Sequence, residues 1–229
     1  MKKVLIISGH PNENSYNQAL SKSYEEGLRH ANVQLSRIDI RKLDFNLNLS
    51  HGFGSTPQEP DVAAAIKKLQ QADHIVWFFP MWWYGYPALM KGFIDRTFLP
   101  GIAFKYQDKP FPVQLFKGKT ASIVITADAP YWYNRWVMGN PAIKQLKKGT
   151  LQFCGIRTTK ITYIAPIRKS TQDFREQWLA KCIKWGQMLN HRLLQWYAIF
   201  IRRKHIAHEI EEWTHLVEDI RNRLRKIRR

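Results

Sequence analysis

The sequence predicts an α/β fold in which a parallel β-sheet carries helices on both faces. Apolar runs of strand length alternate with longer segments of helical periodicity over residues 1–165. The first run, Lys3–Ser8, contains an unbroken series of Val, Leu and Ile, as expected for a strand buried on both faces. Strands separated by helical segments favour parallel pairing, because each helix returns the chain to the same end of the sheet.

After the first strand, Ser15–His30 is predicted to form a helix, with Ser15 as its N-cap. Apolar and polar residues alternate over Val33–Ile40, which predicts a second, half-exposed strand. Residues 44–60 are rich in Asn, Ser, Gly and Pro, and they predict a loop. Glu59–Ala72 is predicted to be the second helix, with a proline in its first turn.

The middle of the chain repeats this alternation. His74–Phe79 is an apolar run that predicts a third, buried strand, and Pro87–Phe98 is predicted to be the third helix. Thr120–Thr126 predicts the fourth strand, Pro141–Phe153 the fourth helix, and Lys160–Ala165 the fifth strand. Five strands connected in this way suit the flavodoxin-like strand order 2-1-3-4-5.

Length and composition fit one α/β domain with an appended segment, or two small domains. The 229 residues are 45% hydrophobic, which is enough for a sizeable core. The two cysteines, Cys154 and Cys182, give no disulfide framework or metal-binding pattern, and they fit a reducing, cytoplasmic location. The net charge of +18 favours anionic partners. Because the basic residues are spread along the chain and form no nucleic-acid-binding motif, no nucleic-acid partner is predicted.

Three loops are predicted to meet at one edge of the sheet. In an open parallel sheet, ligands bind beyond the carboxyl ends of the strands, where the strand order reverses. For the order 2-1-3-4-5 this point lies between the first and third strands. The loops after the first, third and fourth strands are His10–Asn17, Pro80–Tyr86 and Ala127–Asn134. Each loop suits a different part of a flavin mononucleotide.

The first loop joins a strand to the N-terminus of a helix. Free backbone N–H groups and the helix dipole make such a position an anion site. His10, Ser15 and Asn17 add side-chain donors, so this loop is a candidate phosphate site. The alternative is an ordinary turn, in which Ser15 only caps the helix and His10 lies on the surface.

The second loop is crowded with aromatic residues. Pro80–Ala88 contains four of them, together with Gly85 and two prolines, directly after the third strand. Loops normally avoid bulky apolar groups, so rings held between Pro80 and Pro87 suggest a rigid platform for a flat, partly apolar ligand such as a flavin. The alternative is that these rings close the core or a subunit interface.

The third loop combines small and aromatic residues. Small side chains at its start allow the backbone to approach a ring closely, and two tyrosines with a tryptophan form a candidate wall. Asp128 is unusual here, because a carboxylate beside an electron-rich reduced flavin is unfavourable. We expect it to accept a hydrogen bond from the N–H edge of the ring or from a neighbouring backbone donor. The alternative for this loop is closure of the core.

Several segments carry a family resemblance, which covers roughly residues 1–190. They are Gly9-His10-Pro11, Ser15-Tyr16-Asn17, Ala72–Val76, Phe79–Trp83, Pro87–Arg96, Pro100–Tyr106 and Leu151–Ile156. The most specific is the Pro-Ala-x-x-Lys-Gly-x-x-Asp-Arg pattern of Pro87–Arg96. With these segments the chain resembles the flavodoxin-like NAD(P)H:quinone oxidoreductases, the family of the mammalian quinone reductases and the bacterial modulators of drug activity.

The resemblance implies a flavin enzyme. FMN is favoured over the FAD of larger family members, because nothing in the sequence clearly supplies an adenosine pocket. The implied reaction is a two-electron, ping-pong hydride transfer from NAD(P)H through the flavin to a quinone or similar aromatic acceptor. The family also implies a homodimer with its site at the interface. Together with the loop analysis, the candidate cofactor-binding residues are His10, Ser15, Tyr16 and Asn17 for the phosphate, Pro80, Met81, Trp82, Trp83 and Tyr84 for the isoalloxazine ring, and Thr126, Ala127, Asp128 and Ala129 for its pyrimidine side.

Two features depart from the family. Its Thr-Gly-Gly loop is replaced by Thr126–Pro130, so nicotinamide access and the preference for NADH or NADPH are not carried over. The histidine that follows the family's tyrosine is missing, since no histidine occurs between His74 and His191. Proton transfer is then expected from Tyr133, Tyr131 or solvent, and the two tyrosines are the candidate catalytic residues. No metal site is predicted.

Residues 191–229 extend beyond the final helix of the fold and predict a basic helical extension, with a break near Arg202–His205. Residues 192–229 hold ten Lys or Arg against five Asp or Glu. The apolar run Leu193–Ile201 suits subunit contact, packing on the core, or peripheral contact with the anionic inner face of a membrane. It is too short to span the membrane. The alternative function is a regulatory flavoprotein subunit that docks on a membrane transport protein.

Overall fold

A computed structural model describes residues 1–53 and 56–189 of the chain. The strands are β1 (Lys2–Ser8), β2 (Val33–Asp39), β3 (His74–Pro80), β4 (Phe104–Lys105), β5 (Val113–Gln114), β6 (Thr120–Thr126) and β7 (Arg157–Ile164). Five of them form a parallel sheet in the order β2-β1-β3-β6-β7, and β4 and β5 form a separate antiparallel hairpin. Counted over the main sheet, this is the predicted order 2-1-3-4-5, so the predicted fold class is confirmed.

Helices cover both faces of this sheet. They are α1 (Tyr16–Arg29), α2 (Pro60–Gln71), α3 (Ala88–Thr97), α4 (Pro141–Lys144) and α5 (residues 172–189). Ser15 caps α1 as predicted, since its hydroxyl accepts from the N–H of Gln18 at 3.2 Å. Pro60 opens α2, where its missing N–H removes no helical hydrogen bond.

The core is built around β3. All seven residues of this strand are buried, and it pairs with β1 on one side and with β6 on the other. Successive side chains point to opposite faces. Trp77 and Phe93 of α3 pack with ring centroids 6.4 Å apart, whereas Phe78 packs against Tyr24 of α1 at 5.7 Å. Full burial of each large apolar side chain contributes about 1.5–3 kcal/mol, so β3 fixes the helices of both faces.

One strand and one hairpin differ from the predictions. The predicted fifth strand, Lys160–Ala165, begins three residues earlier, at Arg157. Its first residues alternate between exposed and half-buried and show no apolar run, which explains the late predicted start. The β4-β5 hairpin lies in a segment without a predicted element, because strands of two residues leave no periodic pattern.

The predicted fourth helix also differs in kind. Only Pro141–Lys144 of the predicted Pro141–Phe153 is α-helical, and Gln145–Gln152 continues as a π-helix. A second π-helix, Tyr133–Val137, starts inside the predicted loop after β6. Such wider turns are rare in proteins, and they are frequent at functional sites.

Residues 190–229 lie outside the described part of the chain. The predicted extension, its apolar run Leu193–Ile201 and the break near Arg202–His205 lie there too, so membrane contact and docking on a transport protein stay predictions. The region Met1–Gln187 forms one compact unit. Within residues 1–53 and 56–189, no helix has the length and apolar character needed to cross a membrane.

A buried ion pair holds the loop before α2 against α3. The Arg96 side chain is 1% exposed, and its guanidinium donates to both carboxylate oxygens of Glu59. The guanidinium also donates to the backbone carbonyls of Asn46 and Pro57. Because a buried guanidinium without partners is costly, these contacts anchor Asn46, Pro57 and Glu59 against α3.

We expect Glu59→Ala to lower the free energy of unfolding by about 3 kcal/mol, because it leaves the Arg96 guanidinium buried without its carboxylate. Arg96 keeps its hydrogen bonds to the carbonyls of Asn46 and Pro57, so the expected loss of stability is at the low end of the range for a broken buried ion pair. Urea denaturation measures the change. Lys91→Ala is the matched control. It removes the more exposed pair with Asp95 on the same helix, and it should cost less than about 1 kcal/mol. Equal losses would contradict the role given to Arg96.

Candidate functional site

The three predicted loops meet at the carboxyl edge of the sheet, and Thr126 links them. Its hydroxyl, at the end of β6, lies 3.3 Å from Nδ2 of Asn17 in α1. Its backbone carbonyl accepts from the N–H of Met81 at 2.7 Å. The N–H of Gly9 donates to the carbonyl of Phe78 at 2.8 Å, which fixes the start of the first loop against β3. The loops are therefore adjacent at the point where the strand order reverses.

The first loop is folded by its own side chains. Nδ1 of His10 accepts from the N–H of Asn12 at 2.9 Å, and Oδ1 of Asn12 accepts from the N–H of Asn14 at 2.8 Å. The His10 ring packs edge-on against Trp82, with centroids 5.6 Å apart, and burial lowers the pKa of His10. The neutral imidazole is the form that accepts from Asn12. Ser15 caps the helix, as the alternative expected. His10 is half-buried against Trp82 and does not lie free on the surface.

Asn17 is a buried residue of this site with incomplete hydrogen bonding. It is 2% exposed, and its amide contacts the Thr126 hydroxyl through one polar atom. The other polar atom has no partner among the described residues. Because a hydroxyl donates or accepts, turning the amide over leaves the same deficit. A buried polar atom without a partner is costly, so this amide atom is a candidate contact for a polar group of a ligand.

The aromatic loop forms a tight turn that projects a tryptophan into solvent. Trp82 and Gly85 exchange backbone hydrogen bonds of 3.0 and 2.8 Å, and Trp83 and Tyr84 between them have φ of 49° and 58°. Bulky residues rarely adopt positive φ, which costs about 1–3 kcal/mol per residue. Trp83 is fully exposed and Trp82 is 46% exposed. The Trp83 ring therefore does not close the core of this chain.

Residues on both sides anchor this turn. Pro80 is the buried last residue of β3, and Met81 packs partly buried against the core. After the turn, the buried ring of Tyr86 packs edge-on against Phe79, with centroids 5.9 Å apart. Strained backbone persists only where the surrounding structure holds it in place, and these contacts supply that support.

The third loop is held by β7 and by the segment after it. The N–H of Ala127 donates to Ile164 at 3.0 Å, and the carbonyl of Ala127 accepts from Ile167 at 3.1 Å. One carboxylate oxygen of Asp128 accepts from the N–H of Arg168 at 2.6 Å, and the other lies 3.7 Å from the Arg168 guanidinium. Of the two partners expected for Asp128, the structure contains the neighbouring backbone donor.

The aromatic part of this loop packs on Tyr163 of β7. The Tyr163 hydroxyl donates to the carbonyl of Ala129 at 2.7 Å, and burial raises the pKa of Tyr163 to about 12, so the phenol keeps its proton. The ring of Tyr131 lies 5.3 Å from that of Tyr163, and the Tyr131 hydroxyl accepts from Arg135 at 3.1 Å. Tyr133, the other candidate catalytic residue, is half-buried at the start of a π-helix.

Sequence reasoning missed Arg175, the cation beside the first loop. Its guanidinium carbon lies 5.8 Å from the centre of the Tyr16 ring, and the Tyr16 hydroxyl donates to the Arg175 carbonyl at 2.8 Å. Burial raises the pKa of Tyr16 to about 12. Hydrogen bonds to Ser170 and Ile167 hold the guanidinium. The sequence of α5 has a helical pattern but no motif at this arginine, so only the tertiary contact reveals it.

Known proteins are similar to most of this chain. NAD(P)H dehydrogenase (quinone) 1 of Rattus norvegicus is 25% identical over 201 residues, which are 77% of this chain and 73% of that protein. A crystal structure from Streptococcus mutans UA159 is 30% identical with a TM-score of 0.71, covering 82% of this chain and 100% of that one. The FMN complex of an FMN-dependent NADH-azoreductase from Bacillus anthracis str. Ames Ancestor has a TM-score of 0.65 at 17% identity, covering 83% of this chain and 100% of that one, and shows the same fold.

A family model also matches this chain. The model described by its flavodoxin-like fold matches residues 2–186, a range that contains the five-stranded sheet, the helices on both faces and all three loops of the candidate site. The match covers well over half of the chain. This protein therefore belongs to the family of that model, whose members have the flavodoxin-like fold.

Proposed function

We propose that the protein is an FMN-dependent NAD(P)H:quinone oxidoreductase that works by a ping-pong mechanism. The observation that carries the proposal is the linkage through Thr126, which joins Asn17 and the aromatic turn to the small-residue loop at one edge of the sheet. Membership of the flavodoxin-like family and the name of the rat relative, a quinone dehydrogenase, support the same reaction class.

The residues around the N-terminus of α1 fit a phosphate group. Backbone N–H groups at this end of the helix and the helix dipole favour an anion. Asn17 has an amide atom without a partner, and Arg175 adds a positive charge beside Tyr16. An incoming phosphate would also favour the protonated imidazole of His10, which burial disfavours. These residues would therefore hold the phosphate end of FMN.

The aromatic turn and the third loop fit a planar ring. In the proposal, Met81–Tyr84 lines the isoalloxazine and Thr126–Ala129 meets its pyrimidine side. Bound flavin would supply the chemistry, accepting a hydride from NAD(P)H and passing two electrons to the quinone. The protein would position the flavin. The aromatic turn is anchored on both sides, and the N–H of Ala127 is hydrogen-bonded to β7. The small side chain of Ala127 would let the flavin ring approach the backbone closely. In the proposal, NAD(P)H and the quinone would react in turn at this one site.

Reduction of a quinone to a hydroquinone requires a second proton besides the hydride. Tyr133 and Tyr131 are proposed to supply or relay it. The Arg135 guanidinium donates to the Tyr131 hydroxyl at 3.1 Å, which orients this phenol within the third loop. Both tyrosines flank the loop that is proposed to meet the ring.

The proposal also includes a homodimer and a cytoplasmic location. Trp83, Trp132 and Trp136 expose large apolar rings near the candidate site, as is common at interaction surfaces. A second copy of the chain is the partner that the family resemblance implies. Cys154 and Cys182 are free and buried, which fits a reducing compartment.

FMN binding tests the cofactor assignment. Added FMN should bind the protein, its visible absorption should bleach with NADPH, and the loaded protein should oxidise NADPH with menadione as acceptor. Asn17→Ala should weaken FMN binding by about tenfold, the effect of one lost hydrogen bond to a buried group. Asn32→Ala, in the exposed turn after α1, is the matched control and should bind FMN normally.

Two results would contradict parts of this assignment. If the protein binds neither FMN nor FAD, the proposed oxidoreductase function is wrong. If Asn17→Ala and Asn32→Ala bind FMN equally well, Asn17 does not hold the cofactor.

Tyrosine substitutions test the proton supply. Tyr133→Phe, Tyr131→Phe and the double variant remove the phenolic proton and keep the ring, and loss of the proton donor should slow quinone reduction by about 100-fold. NADPH consumption in the first half-reaction should stay unchanged, because hydride transfer takes no proton from these groups. Stopped-flow absorbance separates the two half-reactions. If all three variants reduce quinone at the original rate, solvent supplies the proton and neither tyrosine is catalytic.

A further inference from the structure

A cavity of about 700 Å³ lies beside the candidate flavin site, along the outer edge of the sheet. β7 forms its floor, with Ile161 and Tyr163. The two π-helices and α4 contribute side chains on one side, and α5 contributes Trp178 and Trp185 on the other. The volume is in the range of sites for small molecules and cofactors.

The cavity is strongly basic. Arg135, Lys144, Lys147 and Lys148 line it, and none of its lining residues is acidic. Among the ion pairs that join described residues, none uses these four side chains. Four cations close together repel one another, and an anionic ligand relieves that repulsion. The cavity therefore favours a molecule with one or more negative charges.

The cavity is also rich in aromatic rings. Trp178 and Trp185 lie with centroids 6.0 Å apart, and Tyr131 and Tyr163 lie with centroids 5.3 Å apart. Nζ of Lys181 lies 4.2 Å from the centre of the Trp178 ring, and Nζ of Lys160 lies 3.1 Å from the centre of the Trp185 ring, so one face of each indole packs against a cation. Aromatic rings that lie beside cations favour a ligand that combines a flat aromatic group with negative charge elsewhere in the molecule.

The cavity and the candidate flavin site share a wall. Tyr163 lines the cavity, and its hydroxyl holds the carbonyl of Ala129 in the third loop at 2.7 Å. Asn140 also lines the cavity, and its Oδ1 accepts from the buried amide of Asn134 at 2.8 Å. A ligand that occupies the cavity therefore reaches the residues that position the third loop.

We propose that this cavity binds an adenosine phosphate, which combines a flat aromatic base with phosphate charge. One source is the adenosine end of the dinucleotide donor, bound while its nicotinamide end reacts at the flavin; this reading rests on the proposed function. The other source is a free adenine nucleotide that acts on the site from beside it. Both use the same cations and rings.

Binding of adenosine 2′,5′-bisphosphate to the full chain tests the cavity. Tryptophan fluorescence should report saturable binding, because Trp178 and Trp185 line the site. Lys147→Gln with Lys148→Gln should weaken this binding at least about tenfold, the effect of losing one or more charged hydrogen bonds. Lys67→Gln with Lys68→Gln, an adjacent pair on α2, removes the same charge and should leave the affinity unchanged. No saturable binding, or equal loss in both double variants, would overturn the proposal.

Kinetics with the FMN-loaded chain separate the two sources. If the cavity holds the adenosine end of the donor, the bisphosphate competes with NADPH, and Lys147→Gln with Lys148→Gln raises the KM for NADPH at unchanged kcat. The KM for reduced nicotinamide mononucleotide, which lacks adenosine, then stays the same. If a free nucleotide is the ligand, the bisphosphate binds without competing. Fluorescence titration of the flavin-free chain measures nucleotide binding in the cavity even if the protein binds no flavin. Failure of the cavity proposal can therefore be distinguished from failure of the proposed oxidoreductase function.

Discussion

The two hydrogen bonds of Thr126 are the constraint on which the candidate site depends. β6 ends at this residue, so its hydroxyl and its carbonyl both lie at the carboxyl edge of the sheet. The hydroxyl holds Asn17 of α1, and the carbonyl holds Met81 at the start of the aromatic turn. Each bond contributes only about 1 kcal/mol. Their importance is geometric, because they hold three loops from distant parts of the sequence at fixed distances from one another.

The sheet could be predicted because most of its strands are buried on both faces. Unbroken apolar runs of five or six residues bounded by polar loops favour such strands, as in β3. β7 is an edge strand whose first half is partly exposed, so its start leaves no apolar signal. The π-helices Tyr133–Val137 and Gln145–Gln152 were beyond prediction for another reason. Their hydrogen bonds reach one residue further than in an α-helix, and apolar spacing does not record that difference.

The candidate site shows the same division. The proximity of His10, Asn17 and the aromatic turn could be predicted, because the segments that carry them follow neighbouring strands of a parallel sheet. Arg175 and the partner of Asp128 could not. The contact of Asp128 with Arg168 spans 40 positions, and that of Tyr16 with Arg175 spans 159. No local pattern encodes such contacts, since they arise only when the chain after β7 folds back beside the first and third loops.

The charges along the third loop change in a definite order. The carboxylate of Asp128 accepts from the backbone N–H of Arg168 and lies 3.7 Å from its exposed guanidinium, which offsets part of the negative charge next to the proposed ring site. Beyond Tyr131 the charges are basic, beginning with Arg135 and continuing in the lysines of the cavity. Cations on the walls of a cleft focus the field and attract anions. An anionic dinucleotide would thus be drawn to the cavity first, and Tyr163, which touches both regions, marks where its neutral nicotinamide end would enter the ring site.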